Sequence, residues 1–530
     1  ERLAGEGLDG QRRRHLLQRM ERPDVSNLVD LVLADLDFEY SGGFGTIPIH
    51  AKMLQSQLDE LLKRRPALKD DANFVTTYLV RLQPGPDEDW RHDEAARERT
   101  LDRLWAFVSP LAPAFNSLKA HILYQRLAHD RAKGVYDKER FLAYLTLPRQ
   151  MGYMEPKYLQ QRQHREHPVD LSAQYGASSP FPPVGNDEPL VRDFLAHFFL
   201  AEDDYKPYAR LVRSDYLKPL FAETKLVAGL GDPETWFSTL DNPGYAQALK
   251  ERVDLEFAPA NKTAFKANDP VELSLWTKNV PTLLVRVFEI NTRNYYREKG
   301  EEVPSNLDLD GLVANEERTE TYAEPPIRRV LRTYKFQNLS KSGVYVVEFI
   351  GNGQSSRALI RKGSLRFLEA PSTAGHVFTI LDEENRPLPK AMLWLGGREY
   401  APEADGRIVV PYSASPGSVP IVLEHEGVCT LERFQHLPEE YALQARFHVE
   451  RESLLRGRKA SVLIRPALYA NGEPATLSIL ENPRLSITAT TRDGIRATRD
   501  VPDFKLAENE ETVHEFAVAD DLAEIQFTLK

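Results

Sequence analysis

The stretch Val253-Asp254-Leu255-Glu256-Phe257, with Val271-Glu272-Leu273-Ser274-Leu275 shortly after it, marks the point at which the pattern of the chain changes. Apolar and polar residues alternate in both stretches, and the alternation returns over residues 283–289 and 344–350. A period of two predicts β-strands that bury one face and expose the other. Because many short runs of this kind are separated by Asn, Asp, Gly and Pro, we expect antiparallel β-sandwiches from Val253 onward.

Tight turns divide this β-rich half into three expected sandwiches, over residues 253–370, 371–446 and 447–530. Pairs such as Asp405-Gly406 and Asn471-Gly472 lie between alternating runs. Both residue types tolerate a positive φ, which makes such pairs strong hairpin signals. We expect the third sandwich to be truncated, because the sequence stops directly after a strand-like run.

The first half of the chain has a helical pattern instead. Over residues 1–165, apolar residues recur three and four positions apart, as at Leu118 and Ile122, which predicts an all-α domain. Residues 166–190 are rich in proline and small residues, so we expect either a linker or a long ordered loop. A small helical segment is predicted over residues 191–252.

Composition limits the functional classes. The 530 residues carry a net charge of -11, and this acidity argues against a nucleic-acid-binding surface, which is normally basic. Cys429 is the single cysteine, so no internal disulfide is expected. No apolar run reaches the length of a transmembrane helix. The sequence begins at Glu1 and ends at Lys530 after a strand-like run, and we expect a piece of a longer protein.

One acidic loop has the spacing of a calcium site. Asn306, Asp308 and Asp310-Gly311, followed by Glu317, match the positions of oxygen ligands in an EF-hand loop, although Asn takes the first place. The flanking Val303-Pro304 does not favour a helix, which an EF-hand requires. The loop is therefore a candidate calcium site, and the alternative is a solvated acidic loop between two strands.

No catalytic constellation can be assembled from the sequence. Patterns typical of serine hydrolases, zinc proteases and phosphate-binding loops are missing. His164 and His167 have a spacing that zinc could use, but exposed loop histidines are the simpler interpretation. Cys429 follows an apolar strand, where a structural thiol is expected rather than a nucleophile. We therefore expect a protein that is not an enzyme and that, calcium apart, needs no cofactor.

Several segments of the β-rich half resemble a known protein family. The segments Leu255-Glu256-Phe257, 268–275, 285–289 and 343–349 resemble the macroglobulin-type sandwiches of bacterial alpha-2-macroglobulin-like proteins. The resemblance covers residues 253–530. It implies a protease-trapping or envelope-defence role, a protein partner such as a protease, and a periplasmic, cell-surface or secreted location.

The sequence also departs from that family. Residues 1–252 do not match its usual core, and Cys429 stands in Gly-Val-Cys-Thr-Leu-Glu, without the glutamine that a thioester needs. Two hypotheses follow. In the first, the chain is a non-catalytic binding part of a macroglobulin-like protease inhibitor. In the second, it is an adhesion or assembly scaffold whose helical half docks a protein partner.

Overall fold

Helices occupy the first half of the molecule, and antiparallel sheets occupy the second. The computed structural model describes residues 8–85, 87–91, 93–240, 242–508 and 510–530. Residues 1–7, with which the predicted helical segment begins, lie outside this description. Except for one α-helix inserted later, the described α-helices precede β1, which begins at Asp254. The predicted fold class, an all-α region followed by tandem antiparallel sandwiches, is confirmed.

Thirteen α-helices lie in the described part of the N-terminal half. They are α1 (Gly10–Arg19), α2 (Leu28–Leu36), α3 (Gln55–Arg64), α4 (Ala72–Arg81), α5 (Glu94–Val108), α6 (Asn116–Ala132), α7 (Lys138–Leu145), α8 (Pro156–Leu159), α9 (Arg162–Glu166), α10 (Glu188–Phe199), α11 (Ser214–Ala228), α12 (Pro233–Leu240) and α13 (Pro243–Glu251).

Local sequence signals set many of these helix ends. The Asp71 carboxylate accepts hydrogen bonds from the N–H groups of Asn73 and Phe74, and so caps the start of α4. Gly229 ends α11 with φ of 61°, a left-handed conformation that glycine adopts without strain. The helices then bury apolar faces in several clusters, of which the largest joins α6, α7, α10 and α11.

Residues 167–187 contain no helix, yet they pack closely against the helices around them. Ser178 and Ser179 are buried. Gln83 Nε2 donates a hydrogen bond to the Ser178 carbonyl at 2.7 Å, and the Ser179 hydroxyl lies 2.8 Å from His121 Nε2. This proline-rich segment is thus held by side chains from α6 and from the turn after α4.

The first sandwich is built from eight strands and contains the inserted helix α14 (Thr292–Lys299). The strands are β1 (Asp254–Phe257), β2 (Ala264–Phe265), β3 (Glu272–Lys278), β4 (Thr282–Ile290), β5 (Glu316–Thr321), β6 (Arg329–Lys335), β7 (Gly343–Gly351) and β8 (Gln354–Lys362). One sheet has the order β1-β3-β6 and the other β2-β8-β7-β4-β5.

Seven strands form the second sandwich and seven form the third. The second has β9 (Arg366–Ser372), β10 (Gly375–Leu381), β11 (Met392–Leu395), β12 (Arg398–Tyr400), β13 (Ile408–Val410), β14 (Gly417–His425) and β15 (Val428–His436). The third has β16 (Tyr441–Val449), β17 (Lys459–Ala470), β18 (Glu473–Ala475), β19 (Leu485–Thr491), β20 (Arg496–Val501), β21 (Thr512–Ala517) and β22 (Leu522–Leu529).

Alternation along the strands fills the space between the sheets. In the first sandwich, Leu273 and Leu275 on β3 face Val347 and Phe349 on β7, and all four side chains are buried. Burying an aliphatic or aromatic side chain stabilises a fold by roughly 1.5–3 kcal/mol. Separate apolar cores fill the second and third sandwiches.

Helix α14 joins the first sandwich to the second. Tyr296 on this helix is buried in a cluster with Val422 of β14, and Cys429 of β15 packs against the same cluster. Arg293 and Arg297 on the exposed side of α14 both form salt bridges with Glu424, at 2.9 and 3.0 Å. Apolar burial and ion pairing therefore fix the angle between the first two sandwiches.

A short connection, residues 437–440, leads to the third sandwich. The buried His376 accepts a hydrogen bond from the Leu437 N–H at its Nε2, at 3.0 Å. On the other side, Asn471 donates to the Pro438 carbonyl and accepts from the Glu440 N–H, both at 2.7 Å. The connection is thus held by the buried His376 of the second sandwich and the half-buried Asn471 of the third.

Candidate protein-interaction surface

A fully buried ion pair lies in the centre of the helical half. Arg149 Nε donates to Asp187 Oδ2 at 2.6 Å, and neither side chain is accessible to solvent. Tyr144 and Tyr153 each donate a hydroxyl hydrogen bond to the same carboxylate oxygen at 2.7 Å. The guanidinium also donates to the carbonyls of Tyr144 and Leu147. This cluster fixes the loop after α7 against the start of α10.

Burial dominates the electrostatics of these two tyrosines. Loss of hydration raises the pKa of Tyr144 and of Tyr153 well above its ordinary value, and the Arg149 charge only partly opposes this. Both hydroxyls therefore stay protonated and keep donating to Asp187. Arg149 Nη2 and Asp187 Oδ1 are buried without a hydrogen-bond partner among the described residues. Removing either residue of the pair would leave the other charge buried and unpaired.

A polar ridge, residues 155–167, follows Tyr153 of this cluster along the chain. It consists of α8, α9 and the turns beside them. Its backbone is attached to the core where the Glu155 N–H donates to the Leu211 carbonyl at 2.9 Å. The buried ring of Tyr158 anchors it from below, and the ring of His164 packs on Tyr158 with a centroid distance of 4.0 Å. His164 Nδ1 also lies 2.7 Å from the Tyr158 carbonyl oxygen.

The outer face of the ridge carries positive charge. Lys157, Arg162 and Arg165 are exposed, and the exposed Arg210 lies close enough for its charge to act on Tyr158. Arg162 pairs with Glu166 along α9 at 2.9 Å. No salt bridge within the described residues involves Lys157, Arg165 or Arg210. We call these four cations, Lys157, Arg162, Arg165 and Arg210, the basic ridge. Unpaired exposed cations on a rigid base suit an acidic protein surface.

The helical half is joined to the first sandwich by buried charges as well. Glu223 of α11 is buried and accepts hydrogen bonds from Arg192 at 2.6 Å, Tyr245 at 2.6 Å and Arg252 at 2.8 Å. Burial alone would raise the pKa of Glu223, but these three donors outweigh it and hold the pKa below its ordinary value. The carboxylate is therefore ionised and keeps its partners.

Across the junction, Arg252 continues this network into the sheet. Its guanidinium forms two hydrogen bonds with the buried Asp254 carboxylate of β1, at 2.7 and 3.0 Å. Lys278 of β3 reaches back and donates its Nζ to the Arg252 carbonyl at 2.7 Å. Because each polar group has a partner on the other side, the helical half and the first sandwich are coupled rigidly.

The candidate calcium residues lie in an exposed connection between α14 and β5. Asn306 and Asp310 lie in turns, Asp308 lies in the irregular backbone between them, and Asp308 Oδ1 accepts from the Asp310 N–H at 2.9 Å. Glu317 is on β5, where its carboxylate accepts a hydrogen bond from Arg286 at 2.9 Å. In the part of the chain that the structure describes, no group of three or more His, Cys, Asp or Glu side chains is arranged to hold a metal ion. Calcium binding by this loop stays a prediction.

The other residues weighed for chemistry have structural roles. Both ring nitrogens of His164 lie within hydrogen-bonding distance of neighbours, and the backbone carbonyl of His167 accepts from Asn116. Burial raises the pKa of Cys429 to about 11, and Glu424 adds to that rise, so the thiol stays protonated at neutral pH. None of the helices in the described ranges has the length and hydropathy needed to cross a membrane.

Sequence reasoning missed the buried pair of Arg149 and Asp187 and also the polar ridge, residues 155–167. Arg149 and Asp187 are 38 positions apart, and nothing in the local pattern of either residue marks it as buried. A signal for the ridge was present, because residues 160–167 form an uninterrupted polar run with two arginines and two histidines. A run of this kind is more often a solvated surface, and only the fold shows that it is held on a rigid base.

Family models match parts of both halves of the chain. Residues 1–253 match the Actin-binding protein F N-terminal domain. Residues 283–363 match the AbpF first immunoglobulin-like domain, and residues 450–530 match the AbpF third immunoglobulin-like domain. The sandwich built from β9 to β15 lies between the two matched immunoglobulin-like regions.

A curated relative gives the same result along the whole chain. Actin-binding protein F of Dictyostelium discoideum is 32% identical over 519 residues, which cover 96% of this chain and 22% of that protein. The chain therefore spans about a fifth of the length of the relative that it matches.

Solved structures show only weak likeness. Native alpha-2-macroglobulin from Escherichia coli aligns with 34% of this chain and 64% of its own at 13% identity, with a TM-score of 0.26. An I-band fragment of titin aligns with 52% of this chain and 92% of its own at 13% identity, with a TM-score of 0.13. At these TM-scores, neither likeness carries an argument.

The macroglobulin resemblance is therefore wrong as a family assignment. Strand rhythm and tight turns are shared by many unrelated β-sandwiches, so the residues that suggested the family did not discriminate between them. The bacterial origin, the protease-inhibitor role and the periplasmic, cell-surface or secreted location followed from that resemblance, and the match to a Dictyostelium actin-binding protein overturns them. A protease partner has no support. In order along the sequence, the chain is similar to the N-terminal domain of Actin-binding protein F and then to its first and third immunoglobulin-like domains.

Proposed function

We propose that this chain is a non-catalytic scaffold that binds actin, with the helical half as the docking domain. The observation that carries the proposal is the 32% identity, over 96% of this chain, to a protein named for actin binding. The second hypothesis drawn from the sequence, a scaffold whose helical half docks a protein partner, agrees with the proposal of an actin-binding scaffold. Since actin filaments lie in the cytoplasm, we propose the same location for this chain.

Within the helical half, we propose the basic ridge as the contact surface. Lys157, Arg165 and Arg210 are exposed cations that no described salt bridge neutralises, so they are free to pair with carboxylates of a partner. The buried pair of Arg149 and Asp187 anchors the loop that precedes the ridge in the sequence. A preorganised surface loses little conformational entropy on binding, which favours affinity.

Co-sedimentation with filamentous actin tests this proposal. The chain with Lys157→Glu, Arg165→Glu and Arg210→Glu is compared with the unchanged chain over a range of filament concentrations. Each exposed ion pair contributes roughly 0.2–1 kcal/mol, so three reversals should weaken binding by about 2 kcal/mol, or roughly thirty-fold in Kd. Raising the salt concentration should reduce the difference, because exposed charges are screened.

A matched control makes the result specific to the ridge. Lys262→Glu, Lys266→Glu and Lys390→Glu introduce the same change in net charge at exposed positions on the sandwiches. This variant should bind filaments within about twofold of the unchanged chain. Equal weakening in both variants would reduce the effect to net charge and contradict the ridge as the contact. Failure of the unchanged chain to sediment with actin at any concentration would contradict actin binding itself.

A further inference from the structure

The second and third sandwiches are joined differently from the first two. The first two share a cluster of apolar side chains around Tyr296, whereas the second and third have separate apolar cores. The orientation of the third sandwich therefore depends on how the connection, residues 437–440, is held at each end. At the far end, Asn471 forms hydrogen bonds with the backbone of both Pro438 and Glu440, so these residues move with the third sandwich.

At the near end, two hydrogen bonds attach Leu437 to the second sandwich. Its carbonyl accepts from the Ser413 N–H at 2.9 Å, and its N–H donates to His376 Nε2 at 3.0 Å. His376 lies on β10, and its side chain has no exposed surface. One of the two attachments is therefore made by a side chain that can change its charge.

The hydrogen bond from Leu437 determines where His376 carries its proton. A ring nitrogen that accepts a hydrogen bond has no proton of its own, so the proton of the neutral imidazole lies on Nδ1. This Nδ1 is 2.6 Å from Glu369 Oε1 of β9 and donates to it. A second proton can add only at Nε2, where the new N–H would point at the N–H of Leu437. Because two donors cannot pair, the bond to the connection is lost when the ring is protonated.

Other titratable groups face His376 from the neighbouring strands. The Glu369 carboxylate on β9 attracts an imidazolium and forms a stronger, charge-assisted hydrogen bond with it. The ring of His436 on β15 has its centroid 5.4 Å from that of His376, and its Nε2 donates to the Pro411 carbonyl at 2.8 Å. A charge on His436 would oppose a charge on His376, since like charges at this distance repel.

Tyr412, which follows β13, completes the set of groups around this ring. Its ring centroid lies 5.1 Å from that of His376. Burial raises the pKa of Tyr412, and the nearby carboxylates of Glu369, of Glu473 on β18 and of Glu439 in the connection add to that rise. The hydroxyl therefore stays neutral as the pH falls, and the histidines are the groups beside the connection that can gain a positive charge.

We propose that His376 is a pH-sensitive switch for the orientation of the third sandwich. While the ring is neutral, it accepts from Leu437 and the connection is held at both ends. When the ring is protonated, the Leu437 N–H loses its acceptor and turns toward water, because an unpaired buried donor is unfavourable. The connection then keeps only the Ser413 bond on that side, and the third sandwich rotates about Leu437 together with Asn471. Histidine suits such a switch, because its charge commonly changes between about pH 5 and 8.

The distance between two spin labels tests the switch in the full 530-residue chain. Cys429→Ser removes the native thiol, and Lys390→Cys and Asp493→Cys place the labels at exposed turns of the second and third sandwiches. Double electron–electron resonance gives the distribution of label separations at pH 7.5 and at pH 5.5. We expect one narrow distribution at pH 7.5 and at least a doubling of its width at pH 5.5. An unchanged width overturns the proposal.

Two variants of the labelled chain assign the effect to one histidine. His376→Gln keeps an oxygen that can accept from Leu437 and an amide that can donate to Glu369, but it does not titrate. Its distribution should therefore stay narrow at both pH values. His436→Gln removes the neighbouring titratable ring and should still broaden at pH 5.5. Broadening of His376→Gln equal to that of the unchanged chain, or loss of the response in His436→Gln alone, overturns the proposal.

A second measurement decides the matter if His376→Gln is already broad at pH 7.5. Histidine-selective ¹⁵N labelling reports the protonation of each ring nitrogen by NMR, and the His376 signals are those missing from the variant. Nε2 should be unprotonated at pH 7.5, and its protonation should follow the same pH curve as the broadening. A protonated Nε2 at pH 7.5, or a different midpoint, overturns the switch. None of these measurements contains actin, so their failure leaves the proposed function standing.

Discussion

Replacing Arg149 should destabilise the helical half more than almost any other single change. Arg149→Met removes the guanidinium but leaves the Asp187 carboxylate buried, with only the hydroxyls of Tyr144 and Tyr153 as donors. Removing one partner of a buried ion pair usually costs about 3–5 kcal/mol, because the remaining charge is left uncompensated. We expect a loss in that range.

A double-mutant cycle separates the pair from its surroundings. Asp187→Asn alone leaves the Arg149 cation without a counter-charge, and we expect a loss of about 3 kcal/mol. Arg149→Met combined with Asp187→Asn leaves no buried charge and keeps an oxygen that can accept from the two tyrosines. The combined loss should therefore fall short of the sum of the single losses by at least about 2 kcal/mol.

Local unfolding is the appropriate readout for a chain with several modules, whose global unfolding is not two-state. Hydrogen exchange of peptides from α7 and α10, followed over increasing urea, gives the local free energy of the helices that the pair connects. Single losses below about 1 kcal/mol, or strictly additive losses in the double variant, would refute the role given to this pair.

Three further outcomes are expected. Burial lowers the pKa of both His50 and His121 to about 4, so the unfolded chain takes up protons first as the pH falls below about 6.5. The helical half should therefore lose stability between pH 6.5 and 4, by up to about 3 kcal/mol for each histidine, and urea unfolding at pH 7 and pH 4.5 measures the loss. Tyr296→Ala should remove the apolar anchor of α14 and lower the free energy of unfolding by about 3–5 kcal/mol. Small-angle scattering should then show wider spacing of the first two sandwiches. The exposed control Asn294→Ala should leave the scattering profile unchanged. If the acidic loop binds calcium, isothermal titration should give heat at millimolar ion that Asp308→Asn abolishes, and absence of heat from the unchanged chain contradicts the site.

Much of the β half could be predicted, because strands that bury one face show an alternation of apolar and polar residues in the sequence. Leu273 and Leu275 alternate with polar neighbours and lie in the core. Helix α14 was missed even though Asn291 caps its start and Gly300 ends it in a left-handed conformation. Those signals bracket only eight residues inside a β-rich region, where the surrounding alternation outweighs them.

The contacts that organise the candidate site could not be predicted. The pairing of Arg149 with Asp187, and the convergence of Arg192, Tyr245 and Arg252 on Glu223, join residues that are distant in the sequence. No local period encodes such contacts, because they depend on how whole helices pack. The family was misassigned for a related reason: strand rhythm is a property of the fold class, and it says little about which surface a protein presents.

Stiff coupling at Glu223 and at α14 has a consequence for avidity. With both junctions fixed, a helical half bound to a filament would hold the second sandwich in one direction and at one distance from that filament. A ligand bound to the second sandwich would then meet the filament at an effective concentration set by this fixed geometry, without the averaging that a flexible linker brings. Two weak sites, one on the helical half and one on the second sandwich, would reinforce each other only for targets whose spacing matches the fixed distance between them.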